Sequence, residues 1–242
     1  MAEKSFVEIV DDATEVARNL DAPLGARLKA VADEVRRLSP EFAETIDRMV
    51  ARLADNGVGL AAPKPGEPMP EFVLPDEAGR LVSLSQLLEK GPAVISFNRG
   101  HWCPYCRLNL DALAKAEPEI AGLGAQIVAI SPETVQWGAE LKDYARAPFH
   151  ILSDVDGGYA LELSLLFWVG DEKRAAMTAG GVDIARYQDN QTWMLPIPET
   201  FVVGQDGIVA ARHVDPDYRR RLGIEELVAM LRARRNGAQA RA

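Results

Sequence analysis

Apolar residues recur at helical spacing through the first 56 positions, in three successive stripes. Phe6, Val10, Ala13, Ala17 and Leu20 share one face, and Leu24, Leu28, Val31, Val35 and Leu38 share a second. Phe42, Ile46, Met49, Val50 and Leu53 form the third. Ser39-Pro40 marks the start of that helix, with a hydroxyl cap and a proline at the first helical position, and Asn56-Gly57 marks its stop. This helical arm, residues 1–56, carries no titratable cluster beyond a solvated face. It is therefore expected to pack on the rest of the chain, or on a second copy to make a homodimer, rather than bind a ligand.

Residues 57–69 are rich in proline and glycine and read as an extended linker. Beyond them the period shortens and strand and helix signals alternate through residues 70–236, leaving 237–242 as a flexible tail. Glu71–Leu74 and Arg80–Ser83 predict a hairpin about Glu77-Ala78-Gly79, and Ala93–Phe97 a buried strand. A helix is expected from Pro104 to Gly122, a strand over Gln126–Ile130, a helix from about Glu133 to Arg146 and a strand over Phe149–Leu152. Gly157–Leu166 reads as a further helix, and Phe167–Leu195 as an irregular passage. Thr200–Val203 and Ile208–Arg212 predict a hairpin about Gln205-Asp206-Gly207, and a helix closes the chain from Ile224 to about Arg235. This order predicts an α/β domain, a mixed sheet flanked by helices.

Composition narrows the function classes. A net charge of −9 argues against nucleic acid as a partner. The arginines of Arg219-Arg220-Arg221 and Arg232 to Arg235 read as a solvated face and a frayed end. No apolar run reaches the ~20 residues of a membrane helix, and Met1-Ala2-Glu3-Lys4 opens no secretory signal. A cytoplasmic protein without a membrane partner is the expectation. Two cysteines do not make a disulfide scaffold, whereas a single Cys-x-x-Cys points to redox or metal chemistry.

That pair is Cys103 and Cys106, in Arg99-Gly100-His101-Trp102-Cys103-Pro104-Tyr105-Cys106. A buried strand ends at Phe97, and Cys103 stands where a helix begins. Unpaired amides and the helix dipole there favour a thiolate, the nucleophilic form. Pro104 suits the first turn, and Cys106 lies one turn on along the same face, within disulfide reach of Cys103. Arg99, His101 and Arg107 are candidates to stabilise a thiolate, and Trp102 to wall the site. Zinc on His101, Cys103 and Cys106 needs a fourth ligand such as His150 or His213 and is a lesser reading. Trp137, Trp168 and Trp193 read as core or interface residues, and Asp154 as a turn or cap.

The run from Phe97 to Cys106 resembles the active-site entrance of thioredoxin-fold proteins, where a strand feeds a Trp-Cys-x-x-Cys helix start. The wider chain, over roughly residues 66–235, resembles the peroxiredoxins, the alkyl hydroperoxide reductase and thiol-specific antioxidant family. Pro70-Glu71-Phe72-Val73-Leu74-Pro75-Asp76 with Gly79 and Leu84-Ser85 is similar to that family's opening hairpin. Ser153-Asp154-Val155-Asp156-Gly157 and Thr200-Phe201-Val202-Val203 with Asp206-Gly207 match its middle and late segments. The best match is the subgroup carrying Trp-Cys-Pro-x-Cys. The family signature, Pro-x-x-x-Thr-x-x-Cys, puts Cys106 at the peroxide-attacking position, Cys103 at the Thr and Arg99 at the Pro. The family's late-strand Arg falls at Pro198, which instead resembles the X-Pro, usually cis, that faces the dithiol in thioredoxin-like reductases.

The resemblance implies a thioredoxin-like fold and a peroxidase acting on hydrogen peroxide or organic hydroperoxides, recycled by thioredoxin or a glutathione-type thiol donor and needing no cofactor. Cys106 then attacks and Cys103 resolves. A protein dithiol–disulfide oxidoreductase exchanges those roles, with Cys103 as nucleophile, and a non-enzymatic redox sensor or interaction module is the third reading.

Overall fold

A computed structural model describes residues 4–239, with side chains through residue 235. Of the expected tail, residues 240–242 lie outside the described residues; the backbone of residues 237–239 continues the last helix.

The arm forms α1 (Phe6–Arg18), α2 (Leu24–Leu38) and α3 (Pro40–Asp55). Ser5 and Glu8 close a reciprocal cap on α1, and the Ser39 hydroxyl accepts from the Phe42 amide at 3.3 Å to start α3. In α1 the buried stripe is Val10, Thr14 and Ala17; Leu20 lies past the helix end and is exposed, so the expected stripe is shorter.

The hairpin strands are β1 (Val73–Pro75) and β2 (Leu81–Ser83), followed by α4 (Leu84–Leu88). Next come β3 (Ala93–Phe97), α5 (Pro104–Gly122), β4 (Gln126–Ser131), α6 (Val135–Ala145) and β5 (His150–Ser153). The expected helix over Gly157–Leu166 is cut short at α7 (Gly158–Glu162), preceded by a 3-10 turn, because Leu166 already belongs to a strand. Asp154 caps α7, its carboxylate accepting from the Tyr159 and Ala160 amides at 2.9 Å. The passage expected to be irregular is instead ordered. It holds β6 (Leu166–Trp168), α8 (Asp171–Ala179), α9 (Ile184–Gln188) and β7 (Met194–Pro196), with β6 and β7 paired antiparallel. These pieces are too short to sustain a period, and α8 is held by packing on α3. The chain ends with β8 (Thr200–Val203), β9 (Val209–His213) and α10 (Ile224–Gln239).

The central sheet runs β5-β4-β3-β8-β9, parallel across β5, β4 and β3 and antiparallel from β8 onward. Alternation along each strand divides its side chains between two layers. Ile95, Phe97, Val128 and Phe201 meet α4 and α7 on one face, and Val94, Ile127, Ala129 and Val202 meet α5, α6 and α10 on the other.

Helix α5 is buried on two sides. Leu110, Leu113 and Ile120 face the sheet, while Leu108, Ala112 and both cysteines join a third core built from the arm, Phe167, Met177 and Trp193. Asp111 fixes this docking: its carboxylate accepts from Arg18 at 2.9 Å, Arg27 at 2.7 Å and Lys115 at 2.8 Å. The arm thus forms the roof over the dithiol.

Candidate active site

β3 delivers the chain to the buried Asn98 and Arg99, and the loop turns at Gly100, whose φ is +134°. A Cβ at Gly100 would lie 2.4 Å from a Glu133 carboxylate oxygen, so glycine is required both for space and for backbone conformation. The other Glu133 oxygen accepts from the His101 amide at 2.7 Å. Glu133, left outside α6, thus holds the loop that leads to the cysteines. Burial, opposed by the His101 amide, pushes its carboxyl well up, and a charged Cys106 adds to this.

Cys103 occupies the cap position of α5 with extended backbone, and Pro104 takes the first helical position as expected. The Cys106 amide donates to the Cys103 carbonyl at 3.0 Å, which sets the second cysteine one turn into the helix. Both sulfurs are completely buried and reduced. Two donors converge on Cys106 Sγ: the Arg99 amide at 3.2 Å and Arg221 Nη2 at 3.4 Å.

This asymmetry separates the thiols. Burial opposes ionisation of both. At Cys106 it is outweighed by hydrogen bonding from the Cys103 thiol, the Arg221 charge and the Arg99 amide and guanidinium, which hold its pKa well below the usual thiol range. At Cys103 burial, reinforced by donation to Cys106 and by the Cys106 charge, drives the pKa well up against the pull of Arg99 and Arg221. These contacts favour charge on Cys106 over charge on Cys103.

The other expected residues divide. The Arg99 guanidinium stacks 3.8 Å from the Tyr218 ring and 4.9 Å from the Trp102 ring, and Nε and Nη2 find no hydrogen-bond partner among the described residues. His101 turns away from the sulfurs to stack on Trp137, ring centroids 5.8 Å apart, so it is not a thiolate donor. Arg107 is likewise diverted, paired with Asp11 of α1. Pro198 is buried just before β8, but the peptide bond preceding it is trans, contrary to the cis expectation. His150 stands 3.5 Å from Asp76 and 3.4 Å from Glu77, so it is not available to complete a metal site at the dithiol.

Sequence reading missed Arg221, taken with its neighbours as a solvated face. Arg219 in fact bridges Asp47 of α3 at 2.7 Å and Asp217 at 2.7 Å, tying the segment to the arm. Arg221 Nε donates to the Tyr218 carbonyl at 3.0 Å, which aims the guanidinium at Cys106. The only local signal was the pair of apolar residues, Tyr218 and Leu222, flanking the arginines.

The model of the AhpC/TSA family matches residues 65–212. Two Mycobacterium tuberculosis proteins named as peroxiredoxins, from different strains, are 30% identical over 102 residues. That match spans 42% of this chain and 66% of each relative, just under two thirds of their length. Among solved structures, peroxidoxin BcpB of Mycobacterium tuberculosis superposes with a TM-score of 0.55 at 24% identity, covering 71% of this chain and 97% of that one. A reduced 2-Cys peroxiredoxin of Plasmodium vivax gives 0.57 at 14% identity, covering 72% and 83%. These structural likenesses establish the thioredoxin-like fold of the sheet and its helices.

Proposed function

The chain belongs to the AhpC/TSA family, and on that premise we propose that it is a thiol peroxidase in which the Cys106 thiolate attacks the peroxide. The observation that carries this reading is the convergence of the Arg99 amide and Arg221 on Cys106 Sγ, with no equivalent donor on Cys103 Sγ among the described residues. Donors of this kind stabilise the reactive thiolate without reorganising.

The Cys106 sulfur displaces the distal peroxide oxygen. An S–O bond forms, the O–O bond breaks, and the sulfur loses two electrons to become a sulfenic acid. The peroxide is reduced to water or an alcohol, its leaving oxygen taking up a proton. The Arg99 guanidinium, two of whose nitrogens find no partner among the described residues, is placed to support that oxygen and to supply the polarisation that the family draws from its Thr and late-strand Arg. Cys103 then attacks the sulfenic sulfur, a disulfide forms and water leaves. An external thiol of the thioredoxin or glutathione class returns the pair to the dithiol.

The test is single turnover. Reduced protein given one equivalent of hydrogen peroxide should consume it and lose two hydrogens by mass, with the disulfide mapped to Cys103 and Cys106. Consumption no faster than that of a free thiol overturns the reading.

One observation favours a second reading, protein dithiol–disulfide exchange. The cavity beneath the arm reaches Cys103 but not Cys106. In that reaction Cys103 is the attacking thiol, and Cys106→Ser traps a mixed disulfide on Cys103.

A further inference from the structure

Between the end of β3 and the start of α5 the chain runs through Asn98, Arg99, Gly100, His101 and Trp102 to Cys103, and hydrogen bonds from its amides set its course. The Asn98 amide donates to the Ile130 carbonyl at 2.8 Å, and the Cys103 amide to the Gly100 carbonyl at 3.2 Å. Between these points the loop leans on side chains. The Arg99 amide donates to Cys106 Sγ at 3.2 Å and the His101 amide to Glu133 Oε2 at 2.7 Å. The two amides stand on either side of Gly100, so the sulfur and the carboxyl hold opposite ends of one turn.

Glycine does not fix that turn by itself, because it leaves a positive φ at little cost. The far end must be pinned, and Glu133 is built to do it. Its side chain is fully buried and packs directly on the turn: a Cβ at Gly100 would lie 2.4 Å from Oε1 and 2.5 Å from the carboxyl carbon. Its backbone is set between β4, which pairs with both β3 and β5, and α6, and the next amide, that of Thr134, donates to the Tyr187 carbonyl at 3.1 Å. A buried amide that loses its acceptor turns to find another. For His101 that movement rotates the peptide at Gly100 and carries the Arg99 amide off the sulfur. A direct effect of Glu133 has the opposite sign. The charged groups facing Cys106 are Arg221, Arg99 and Glu133, and a carboxylate there opposes a thiolate. Any support Glu133 lends to a Cys106 thiolate therefore runs through the loop.

We propose that Glu133 is a positioning residue for Cys106: by accepting from the His101 amide it holds the Gly100 turn in the course that keeps the Arg99 amide on Cys106 Sγ. The inference rests on the reading of Cys106 as the reactive thiolate. It requires an acceptor oxygen at this position and no charge, so an amide side chain of the same length serves as well as the carboxyl.

The test follows the ultraviolet absorbance of the thiolate against pH in the full chain carrying Cys103→Ser, where Cys106 is the only cysteine left. Added to that chain, Glu133→Met keeps the length of the side chain but removes the acceptor. It should raise the Cys106 midpoint by about one pH unit, a tenfold change, as expected for loss of one hydrogen bond to a charged group. Glu133→Gln, whose amide oxygen still accepts from His101, should keep the parent midpoint. A lower melting temperature in Glu133→Met with an unmoved midpoint marks a merely structural residue and overturns the proposal. A midpoint lowered in both variants marks direct charge repulsion and overturns it too, as does an equal rise in both. Should Glu133→Met fail to fold, Glu133→Asp, whose shorter carboxyl falls short of the His101 amide, should raise the midpoint in the same direction, and an unmoved midpoint there overturns the proposal. Hydrogen peroxide consumption by the wild-type chain is measured in parallel; its absence defeats the peroxidase reading and leaves the titration result standing.

Discussion

Replacing Arg221 with Met removes one of the two donors on Cys106 Sγ and leaves the other in place. At 3.4 Å, an effective dielectric constant of about 20 gives an attraction of about 5 kcal/mol between the guanidinium and a thiolate, an upper bound. Arg221 is only half-buried, and the Arg99 amide at 3.2 Å continues to act, so the net loss is smaller. Hydrogen bonds to charged groups contribute about 1.5–3 kcal/mol, which converts to a roughly ten- to hundredfold smaller thiolate population below the Cys106 titration midpoint. Single-turnover peroxide consumption followed against pH should show that loss at low pH and recovery as the pH rises. The same variant loses the Nε donation to Tyr218, so its melting temperature is recorded beside the rates. An unchanged profile, or a loss of equal size at every pH, refutes the electrostatic role assigned to Arg221.

Three further perturbations bear on the framework. Gly100→Ala should destabilise the fold by about 1–3 kcal/mol for the backbone conformation alone, and shift Trp102 emission, since the new methyl meets the Glu133 carboxylate; a neutral denaturation midpoint contradicts this. Asp111→Ala leaves Arg27 of α2 buried against α5 without its counter-charge, at a cost of about 3–5 kcal/mol in urea unfolding. The Asp111 carboxyl is opposed by burial but held below its usual range by Lys115, Arg27 and Arg18, so this contribution is present at neutral pH and disappears as the pH falls through the folded-state pKa. Burial pushes Glu199 up to about 9 from 4.5, so between those values the folded chain holds a proton that the unfolded chain has lost, and stability declines with rising pH. Glu199→Gln removes that slope; the melting temperature of the variant relative to wild type should climb across this window and then level off, and a constant difference contradicts the assignment.

The regular elements were legible because their patterns are long or bounded. The three arm stripes, the strand at Ala93–Phe97 and the helix opening at Pro104 all carry a clear period or a capping signal, and each stands where expected. The segment from Phe167 to Leu195 was not legible. Its helices and strands run three to nine residues, and they are ordered by burial against α3 and the arm rather than by propensity. The site divides in the same way. Cys103, Cys106 and Pro104 are local to one turn and could be read directly. Arg221 reaches the dithiol from 115 residues beyond Cys106, through a loop whose placement depends on the arm. Glu133 looked like an ordinary helix start, since its partner is a backbone amide in another loop. Composition also misled: three consecutive arginines in an acidic chain suggest a solvated face, yet Arg219 and Arg221 each satisfy a specific partner.

The central claim is that Cys106 is the reactive thiolate and Cys103 the thiol that resolves it. The most direct measurement is to treat Cys103→Ser and Cys106→Ser separately with one equivalent of hydrogen peroxide and identify the modified sulfur by mass spectrometry after trapping with a sulfenic-acid reagent. Cys103→Ser should consume one peroxide and carry the trapped sulfenic acid on Cys106, while Cys106→Ser remains unmodified. A trapped sulfenic acid on Cys103 in Cys106→Ser, with Cys103→Ser inert, contradicts the account.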